Sequence, residues 1–342
     1  MSKRYLITLT PTGKFFFGGE MTFQVNGEDT DFTSYIITSN RFPQQTSLLG
    51  MLRFLILRNA DESVFCNDHI QDKSEAERLI GNHSFSVNPD NKETSFGMIE
   101  RISGCFLMKG DKAIDVESLA KRRNINKVDN TTTALINGKS ICLPKDDNYN
   151  PKDEYKSQWN KYFIEDMRMG INKDYQGRTS KDEDKALYKQ ECLRFKDKDL
   201  KFAFNAEIDD SIDLMKYDGQ LISLGGDSSM FVIGIQSVPK SAPKPEADDL
   251  QVILTSPAYL DRKDLAPVAY AVTETIPFRF MKTTVETKSY NRLHKQIGSS
   301  KKYSLYAQGS TFFFADENKK TEFIKNLEKY HDFRQIGYNE YK

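Results

Sequence analysis

Hydrophobic residues are densest between positions 48 and 57, where Gly50 and Arg53 are the only residues that are not apolar. A run of this density predicts a helix that is buried on nearly all sides. A single charge inside such a helix needs a partner, because an unpaired buried charge is very costly. Arg53 therefore either bonds a protein carboxylate and braces the core, or reaches a charged ligand.

The start of this helix has a more polar pattern. Pro43 favours extended backbone for the residue before it, and either Thr46 or Ser47 can cap the helix that follows. The first backbone N–H groups of a helix attract anions such as phosphate. Three polar side chains beside this start can bond phosphates or bases: Arg41, Gln44 and Gln45.

Alternating apolar and polar residues predict short strands over much of the remaining chain. These strands lie at residues 5–10, 21–25, 35–38, 193–195, 202–208, 221–224, 230–235, 250–255, 276–281 and 304–314, with a strand pair around Gly104 between 96 and 108. Helical patterns lie at residues 74–80 and 319–330. Short strands therefore outnumber helices in the predicted fold.

Three segments lack a pattern that could bury a core. Residues 110–160 are predicted to be an insertion carried on the first domain, and residues 172–185 an exposed hairpin or loop. Residues 241–247 form a proline-rich connector. A chain of 342 residues is long enough for two domains, and the connector places their boundary near residue 240.

Composition narrows the function classes. Lys+Arg 49 balance Asp+Glu 49, so the chain as a whole has no basic field that would attract nucleic acid. Charged residues at 29% and aromatic residues at 12% are typical of a globular protein. No apolar run approaches the roughly 18 residues of a transmembrane helix, and residues 1–10 lack a signal-peptide pattern. The four cysteines are too scattered for a zinc site or a disulfide framework, which predicts a reducing, cytoplasmic setting.

One segment is basic, between residues 278 and 303. It carries seven Lys and Arg residues against a single acid, Glu286, and Tyr290 and Tyr303 lie among them. Basic charge with interleaved aromatic rings is typical of a groove for single-stranded nucleic acid, although a solvated loop explains the charges equally well. The seven basic residues are Arg279, Lys282, Lys288, Arg292, Lys295, Lys301 and Lys302.

Catalytic groups are sparse. The four histidines have neither metal-ligand spacing nor a His-Asp doublet, and His294 in the basic segment is the one candidate general base for RNA cleavage. Asp227 follows Gly225-Gly226 without the second carboxylate that two-metal chemistry needs. No Walker lysine or dinucleotide fingerprint is present. The sequence thus predicts no cofactor and no metal, and leaves two alternatives: a binding subunit without catalysis, or an RNA endonuclease that uses His294.

Several motifs follow one another in a specific order: Phe-Phe-x-Gly-Gly-Glu at 15–20, the Ser39 to Arg53 stretch, Arg168-x-Gly170-Ile171 before Leu187-Tyr188, Gly225-Gly226-Asp227, residues 254–258, Gly309-Ser310 and Gly337. This order resembles the RAMP superfamily of CRISPR-associated proteins, and within it the family of type III-B (Cmr complex) subunits that hold the 5′ tag of the CRISPR RNA. The family's glycine motif often ends in Glu, whereas position 227 is Asp. The similarity spans nearly the whole chain.

The resemblance implies an α+β fold of two ferredoxin-like (RRM-like) domains packed side by side. Residues 1–240 would form the first, with insertions at about 110–160 and 172–185, and residues 241–342 the second, possibly completed by strands from 200–237. The implied partners are the CRISPR RNA (crRNA), the large polymerase-like subunit and the backbone RAMP subunits, with target RNA contacted indirectly and no membrane. Glycine-rich loops would lie against the RNA backbone.

The family resemblance and the physical arguments together predict one set of RNA-binding residues. It comprises Arg41, Gln44, Gln45, Thr46, Ser47, Arg53, Arg168, Gly170, Asn172, Gly225, Gly226, Lys282, Lys288, Arg292, His294 and Lys295.

Overall fold

The computed structural model describes most of the chain, with gaps in the polar segments. The described residues are 2–24, 34–81, 85, 87, 95–120, 133–136, 139–142, 159–171, 187–227, 229–239, 250–282 and 298–342. The predicted loop at 172–185 and the connector at 241–247 lie outside them.

Within the described residues the fold is a mixture of α and β structure with several sheets and few helices. The strands are β1 Ser2–Pro11, β2 Gly18–Gln24, β3 Ser34–Ser39, β4 Phe65–Cys66, β5 His69–Ile70, β6 Ile99–Ile102, β7 Phe106–Lys109, β8 Lys112–Ala113, β9 Thr133–Ile136, β10 Lys139–Cys142, β11 Phe163–Ile171, β12 Leu187–Phe195, β13 Leu200–Asp209, β14 Leu221–Ser223, β15 Met230–Ser237, β16 Gln251–Ile253, β17 Tyr270–Val272, β18 Thr275–Phe278, β19 Met281–Lys282, β20 Gly298–Ser299, β21 Tyr303–Tyr306 and β22 Thr311–Phe313. The α-helices are α1 Gln45–Leu57, α2 Lys73–Ile80, α3 Glu317–Glu328 and α4 His331–Gln335, and short 3-10 helices lie at Met215–Tyr217 and Arg262–Leu265.

The largest sheet has β1 near its centre, and its order is β14-β15-β1-β13-β7-β8. Tyr5, Ile7 and Leu9 of β1 point into the core, as the alternating pattern predicts. The strand pair predicted around Gly104 is different in the structure. β6 and β7 do not pair with each other, because each pairs with β13, one after the other along that strand.

Helix α1 is buried as predicted except along one stripe, where Ser47, Gly50 and Phe54 are exposed. The helix begins at Gln45, and the extended Gln44 is its N-cap residue without a side-chain cap. Capping by Thr46 or Ser47 is therefore wrong, since both residues lie inside the first turn. The second predicted helix is confirmed as α2, which Asp72 caps by accepting a hydrogen bond from the backbone nitrogen of Glu75.

A smaller sheet has the order β11-β12-β3-β2. β11 and β12 are antiparallel, and β12 runs parallel to β3. β3 leads directly into the segment that precedes α1, so this sheet fixes where the helix start lies.

The C-terminal sheet has the order β16-β22-β17-β10-β9. The single strand predicted at 304–314 is two strands, β21 and β22, because Gly309 takes a positive φ of 86° and turns the chain between them. β10 pairs parallel with β17, so part of the segment predicted as an insertion on the first domain contributes a strand to this sheet.

A single hydrophobic cluster extends across the predicted domain boundary. It contains Leu48 and Leu52 of α1 together with Phe278, Phe333 and Tyr338 from the C-terminal part. A second cluster joins α3 to the C-terminal sheet. Residues from both predicted domains thus share one core around α1. None of the helices in the described ranges has the length and apolar character needed to cross a membrane.

Candidate nucleic-acid interface

Gln45 begins α1 and is almost entirely buried. Its backbone N–H donates to the hydroxyl of Tyr338 at 3.2 Å. Its side-chain Nε2 donates to the carbonyl oxygens of Ser103 at 2.7 Å and Ile336 at 2.8 Å. The Gln45 amide group therefore joins the helix start to two distant segments.

Gly337 makes this packing possible. It has a positive φ of 87°, and a Cβ atom at this position would lie 2.3 Å from Nε2 of Gln45. A side chain would push the segment 336–338 away from the helix start, and Tyr338 could no longer cap it. Burial raises the pKa of the Tyr338 phenol above its ordinary value, so the capping hydroxyl keeps its proton.

Arg41 is another residue that was predicted to bind RNA, and in the structure it has protein partners. The side chain is buried, and its Nη2 donates to Oδ1 of Asn160 at 2.9 Å and to Oε1 of Glu165 at 2.6 Å. Glu165 belongs to β11, so the ion pair connects the segment before α1 to the smaller sheet. Arg41 can be buried because β11 supplies the carboxylate of Glu165 and the residues before β11 supply the amide of Asn160.

Arg53 is half-buried two turns into α1. Its guanidinium lies 5.3 Å from the centre of the Phe96 ring, and burial lowers its pKa to about 10. A cation that stacks on an aromatic ring within the protein contributes to packing. These contacts favour the bracing role among the two alternatives for Arg53.

The glycine turn between β14 and β15 lies against the phenylalanine-rich segment near the N-terminus. Gly225 has a positive φ of 90°, and a Cβ on it would lie 2.4 Å from the carbonyl oxygen of Phe16. The backbone nitrogen of Gly226 donates to this same carbonyl at 2.9 Å, and the backbone nitrogen of Phe16 donates to the Ser229 hydroxyl at 2.9 Å. Two motifs of the resemblance, more than two hundred residues apart, are thus in direct contact.

The same turn faces the exposed stripe of α1. Ser47, Gly50 and Phe54 of the helix and Ser223 and Gly225 of the turn line a hollow of about 300 Å³. We call this the turn hollow. It brings together the helix start and the glycine turn, which the sequence predicted separately as RNA-binding elements.

Arg168 of β11 joins this group through an ion pair. Its Nη1 lies 2.8 Å from Oδ2 of Asp227, and both side chains are about half exposed. Gly170 lies next to Tyr188, and a Cβ on Gly170 would lie 2.2 Å from the tyrosine ring. Gly170 therefore allows Tyr188 to pack across the β11–β12 pair.

A larger cavity lies on the other side of the segment that precedes α1. It has a volume of about 490 Å³ between residues 38–45 and residues 274–278 with 302–308, and we call it the cleft. Arg41 and Gln44 line one wall, while Glu274 and Lys302 line the other.

Several predicted residues cannot be assigned to either cavity. Asn172, Lys288, Arg292, His294 and Lys295 lie outside the described residues, and Lys282 is described only as backbone in β19. Across the described ranges, no group of three or more His, Cys, Asp or Glu side chains is arranged to hold a metal ion.

Sequence reasoning missed Tyr338 and Glu165, which hold Gln45 and Arg41. Tyr338 had one available signal, the neighbouring Gly337 at the end of the family pattern. Glu165 had none, because an acidic residue on a polar strand is typical of a solvated surface.

A family model described as CRISPR-associated protein (Cas_Cmr3) matches residues 144–341, more than half of the chain. The chain belongs to the Cas_Cmr3 family. This confirms the family that the sequence motifs predicted, and it makes the chain a subunit of a type III CRISPR effector complex.

Two solved structures are similar in fold to this chain. A chain of Type III-B Cmr-beta bound to cognate target RNA is 15% identical with a TM-score of 0.51, and the match covers 99% of this chain and 96% of that one. A chain of the same complex bound to cognate target RNA and AMPPnP is 15% identical with a TM-score of 0.52, covering 98% and 95%. A comparison with curated proteins finds no match.

Proposed function

We propose that this Cas_Cmr3 protein is a non-catalytic RNA-binding subunit of a type III-B Cmr complex. It holds the 5′ tag of the crRNA and docks onto the large polymerase-like subunit and the backbone RAMP subunits, in the cytoplasm. Target RNA is contacted only indirectly. Its fold comprises two ferredoxin-like domains, at 1–240 and 241–342, which share the core around α1.

The observation that carries the proposal is the turn hollow. There the start of α1 meets the Gly225-Gly226 turn, which packs on Phe16, and Arg168 lies beside the turn. A serine hydroxyl and an arginine fork are groups that bind RNA phosphates. Thr46, Ser47, Gly225, Gly226 and Arg168 form the proposed phosphate-binding surface, Gln44 adds a polar side chain on the wall of the neighbouring cleft, and Gln45, Arg41 and Arg53 support the surface from within.

A charge placed at the helix start tests this surface. Ser47→Glu adds a carboxylate to the first turn of α1, where the helix dipole makes it neutral or favourable for stability. The same carboxylate repels phosphate by roughly 1 kcal/mol, about fivefold in Kd. We expect weaker binding of tagged guide RNA by the reconstituted complex at an unchanged melting temperature.

Ser74→Glu is the matched control, because Ser74 is an exposed residue in the first turn of α2. We expect it to leave RNA binding unchanged. If Ser47→Glu binds tagged guide RNA like wild type, the turn hollow is not the tag site.

The basic segment supplies a second test. Neutralising Lys282, Lys288, Arg292 and Lys295 together should flatten the dependence of log affinity on log salt by roughly 0.7 for each lost phosphate contact. An unchanged slope assigns the segment to a solvated loop. The endonuclease alternative is tested with labelled repeat RNA, because cleavage by the purified chain that disappears in His294→Ala would establish it and refute the non-catalytic role.

A further inference from the structure

Two buried glutamines line the cleft, and the side-chain amide nitrogen of each donates to the main chain. Nε2 of Gln45 donates to Ser103 and Ile336, and Nε2 of Gln308 donates to the carbonyl of Cys105 at 3.0 Å. Both residues are 2% exposed. Since the nitrogen of each amide is held by a carbonyl, the position of each amide oxygen is fixed as well.

Neither amide oxygen has a hydrogen-bond partner among the described residues. Oε1 of Gln45 and Oε1 of Gln308 are both buried and unsatisfied, while both residues belong to the wall of the cleft. An unsatisfied buried acceptor is unfavourable, and native proteins rarely keep one without a reason. Two such acceptors, both on residues that line one cavity, point to a ligand that enters the wall and donates hydrogen bonds.

The rest of the wall indicates what kind of ligand this is. Phe42, Pro43, Pro277 and Phe278 contribute apolar lining, and of these Pro277 is half-buried and the others are buried; apolar lining suits an unstacked base. The volume of about 490 Å³ lies within the range of sites that take a compound of nucleotide size. Lys302 and Arg41 line the cavity together with Glu191 and Glu274, so the lining has no net charge, which suits a neutral base better than a phosphate.

We propose that the cleft takes one unstacked base of single-stranded RNA and prefers a base with an exocyclic amino group, cytosine or adenine over uracil. The amino group donates to the fixed oxygens of Gln308 and Gln45, whereas O4 of uracil meets them as a second acceptor. Both oxygens lie beneath the cavity surface, so binding includes a small opening of the wall. This inference rests on the proposed RNA-binding function and adds a base preference at a separate cavity.

Binding of short, fluorescently labelled oligo(C) and oligo(U) to the purified full chain tests the preference. The two oligonucleotides have equal backbone charge and pyrimidine bases of similar size, so they differ at two positions of the base edge: cytosine has a 4-amino donor and an N3 acceptor, whereas uracil has an O4 acceptor and an N3–H donor. We expect oligo(C) to bind about threefold to tenfold more tightly at the same salt concentration, which is the effect of one or two hydrogen bonds. Equal affinities would overturn the base preference and leave the proposed RNA binding standing, whereas binding of neither would contradict the proposed function itself.

Gln308→Met tests the residue. It removes the oxygen but keeps an unbranched side chain of similar length, and we expect it to abolish the preference while oligo(U) binds as before. Gln220→Met is the matched control, because Nε2 of Gln220 also donates to a main-chain carbonyl, that of Lys216, but on an exposed surface. A folded Gln308→Met variant that keeps the preference would overturn the assignment.

A third measurement uses only the wild-type protein and distinguishes a base within RNA from a free nucleotide as the ligand. Wild-type protein is compared with an oligonucleotide whose cytosines lack the 4-amino group, and we expect it to bind like oligo(U). CMP and UMP are then used as competitors. A preference for CMP without any preference among oligonucleotides would assign the cleft to free nucleotides and overturn the RNA proposal.

Discussion

The hydroxyl of Tyr338 accepts a hydrogen bond from the backbone nitrogen of Gln45 at 3.2 Å, across a separation of 293 residues. The start of α1 is therefore capped by a side chain from the other end of the described structure. Because Gln44 offers no side-chain cap, this tyrosine satisfies a donor that local sequence leaves open.

Removing the hydroxyl should weaken the helix start. Tyr338→Phe keeps the ring and leaves the Gln45 N–H without its acceptor, so we expect the free energy of unfolding to fall by about 1 kcal/mol. Urea denaturation measures this loss. Tyr303→Phe, at a half-buried ring that packs on Phe280, is the control, and an equal loss in both variants would refute a specific capping role.

Buried tyrosines should make the fold sensitive to alkaline pH. Burial raises the pKa of Tyr338 above its ordinary value, and burial with Glu328 nearby raises the pKa of Tyr341 to about 12. The unfolded chain releases these protons from about pH 10, whereas the folded chain still holds them. The folded state then binds more protons, so the free energy of unfolding falls as pH rises above about 10. We expect Tyr338→Phe to flatten this fall in melting temperature, and an identical slope in the variant would contradict the shift.

The glycine turn offers a matched pair of substitutions. Gly225 and Gly219 both have a positive φ, but a Cβ at Gly225 would strike the Phe16 carbonyl while one at Gly219 would meet nothing within 4 Å. Gly219→Ala should lose about 1 kcal/mol of stability from backbone strain alone. Gly225→Ala should lose about 2–4 kcal/mol, because the turn must also move away from Phe16.

Tag affinity is measured on the same pair below the melting temperature of each variant. We expect Gly219→Ala to bind tagged guide RNA like wild type and Gly225→Ala to bind it less tightly. Equal stability losses would mean that the contact between the turn and Phe16 is looser than the structure shows.

Asp227 should restrain Arg168. The ion pair between them is about half exposed, and such pairs contribute only about 0–1 kcal/mol to stability. Asp227→Asn is compatible with the positive φ at this position, and it releases Arg168 for phosphate. We expect little change in melting temperature and tighter binding of tagged guide RNA, with a salt dependence steeper by roughly 0.7 in log–log slope.

The control variant removes the carboxylate from a comparable ion pair and so releases a lysine. Lys161 and Glu117 lie 2.9 Å apart with similar exposure, and Glu117→Gln should leave tag binding unchanged. If Asp227→Asn fails to raise affinity, or if Glu117→Gln raises it equally, Arg168 does not contact the tag.

Arg41 should contribute to the stability of the fold and should not contact RNA directly. Lysine cannot reproduce the contacts that Nη2 makes with both Asn160 and Glu165, so Arg41→Lys should lose about 1–3 kcal/mol. Below its melting temperature the variant should bind tagged guide RNA within about twofold of wild type, a difference under 0.5 kcal/mol. Arg101→Lys, at an arginine that is itself about half exposed in its pair with Glu340, should lose less. Weakened tag binding with an unchanged melting temperature would instead restore the direct RNA contact that the sequence predicted.

The elements that local pattern determines were predictable. The apolar run at 48–57 predicts α1, and the alternation at 5–10 predicts β1, because burial of a periodic face drives both. The start of α1 was not predictable, since its cap comes from Tyr338, and no local pattern shows which distant hydroxyl will reach a helix end. β21 and β22 were merged because both have strand-forming residues, and a single glycine, Gly309, at the turn did not show that the chain reverses there.

The candidate site shows a similar division. Residue type and spacing pointed to the helix start and the Gly225-Gly226 turn, and the structure brings these two together at the turn hollow. Which side each polar residue faces was not encoded in its type. Gln45 and Arg41 bind carbonyl and carboxylate partners inside the protein, and those partners belong to strands and loops more than fifty residues away.

The contact between Gln45 and the segment 336–338 has a consequence for biosynthesis. During synthesis α1 leaves the ribosome long before Tyr338 does. The backbone N–H of Gln45 therefore lacks its acceptor until Tyr338 has been translated. β1 likewise cannot form its strand pairs until β13 and β15 have been translated. The start of α1, which belongs to the tag-binding surface that we propose, is therefore capped only after residues 336–338 have been translated.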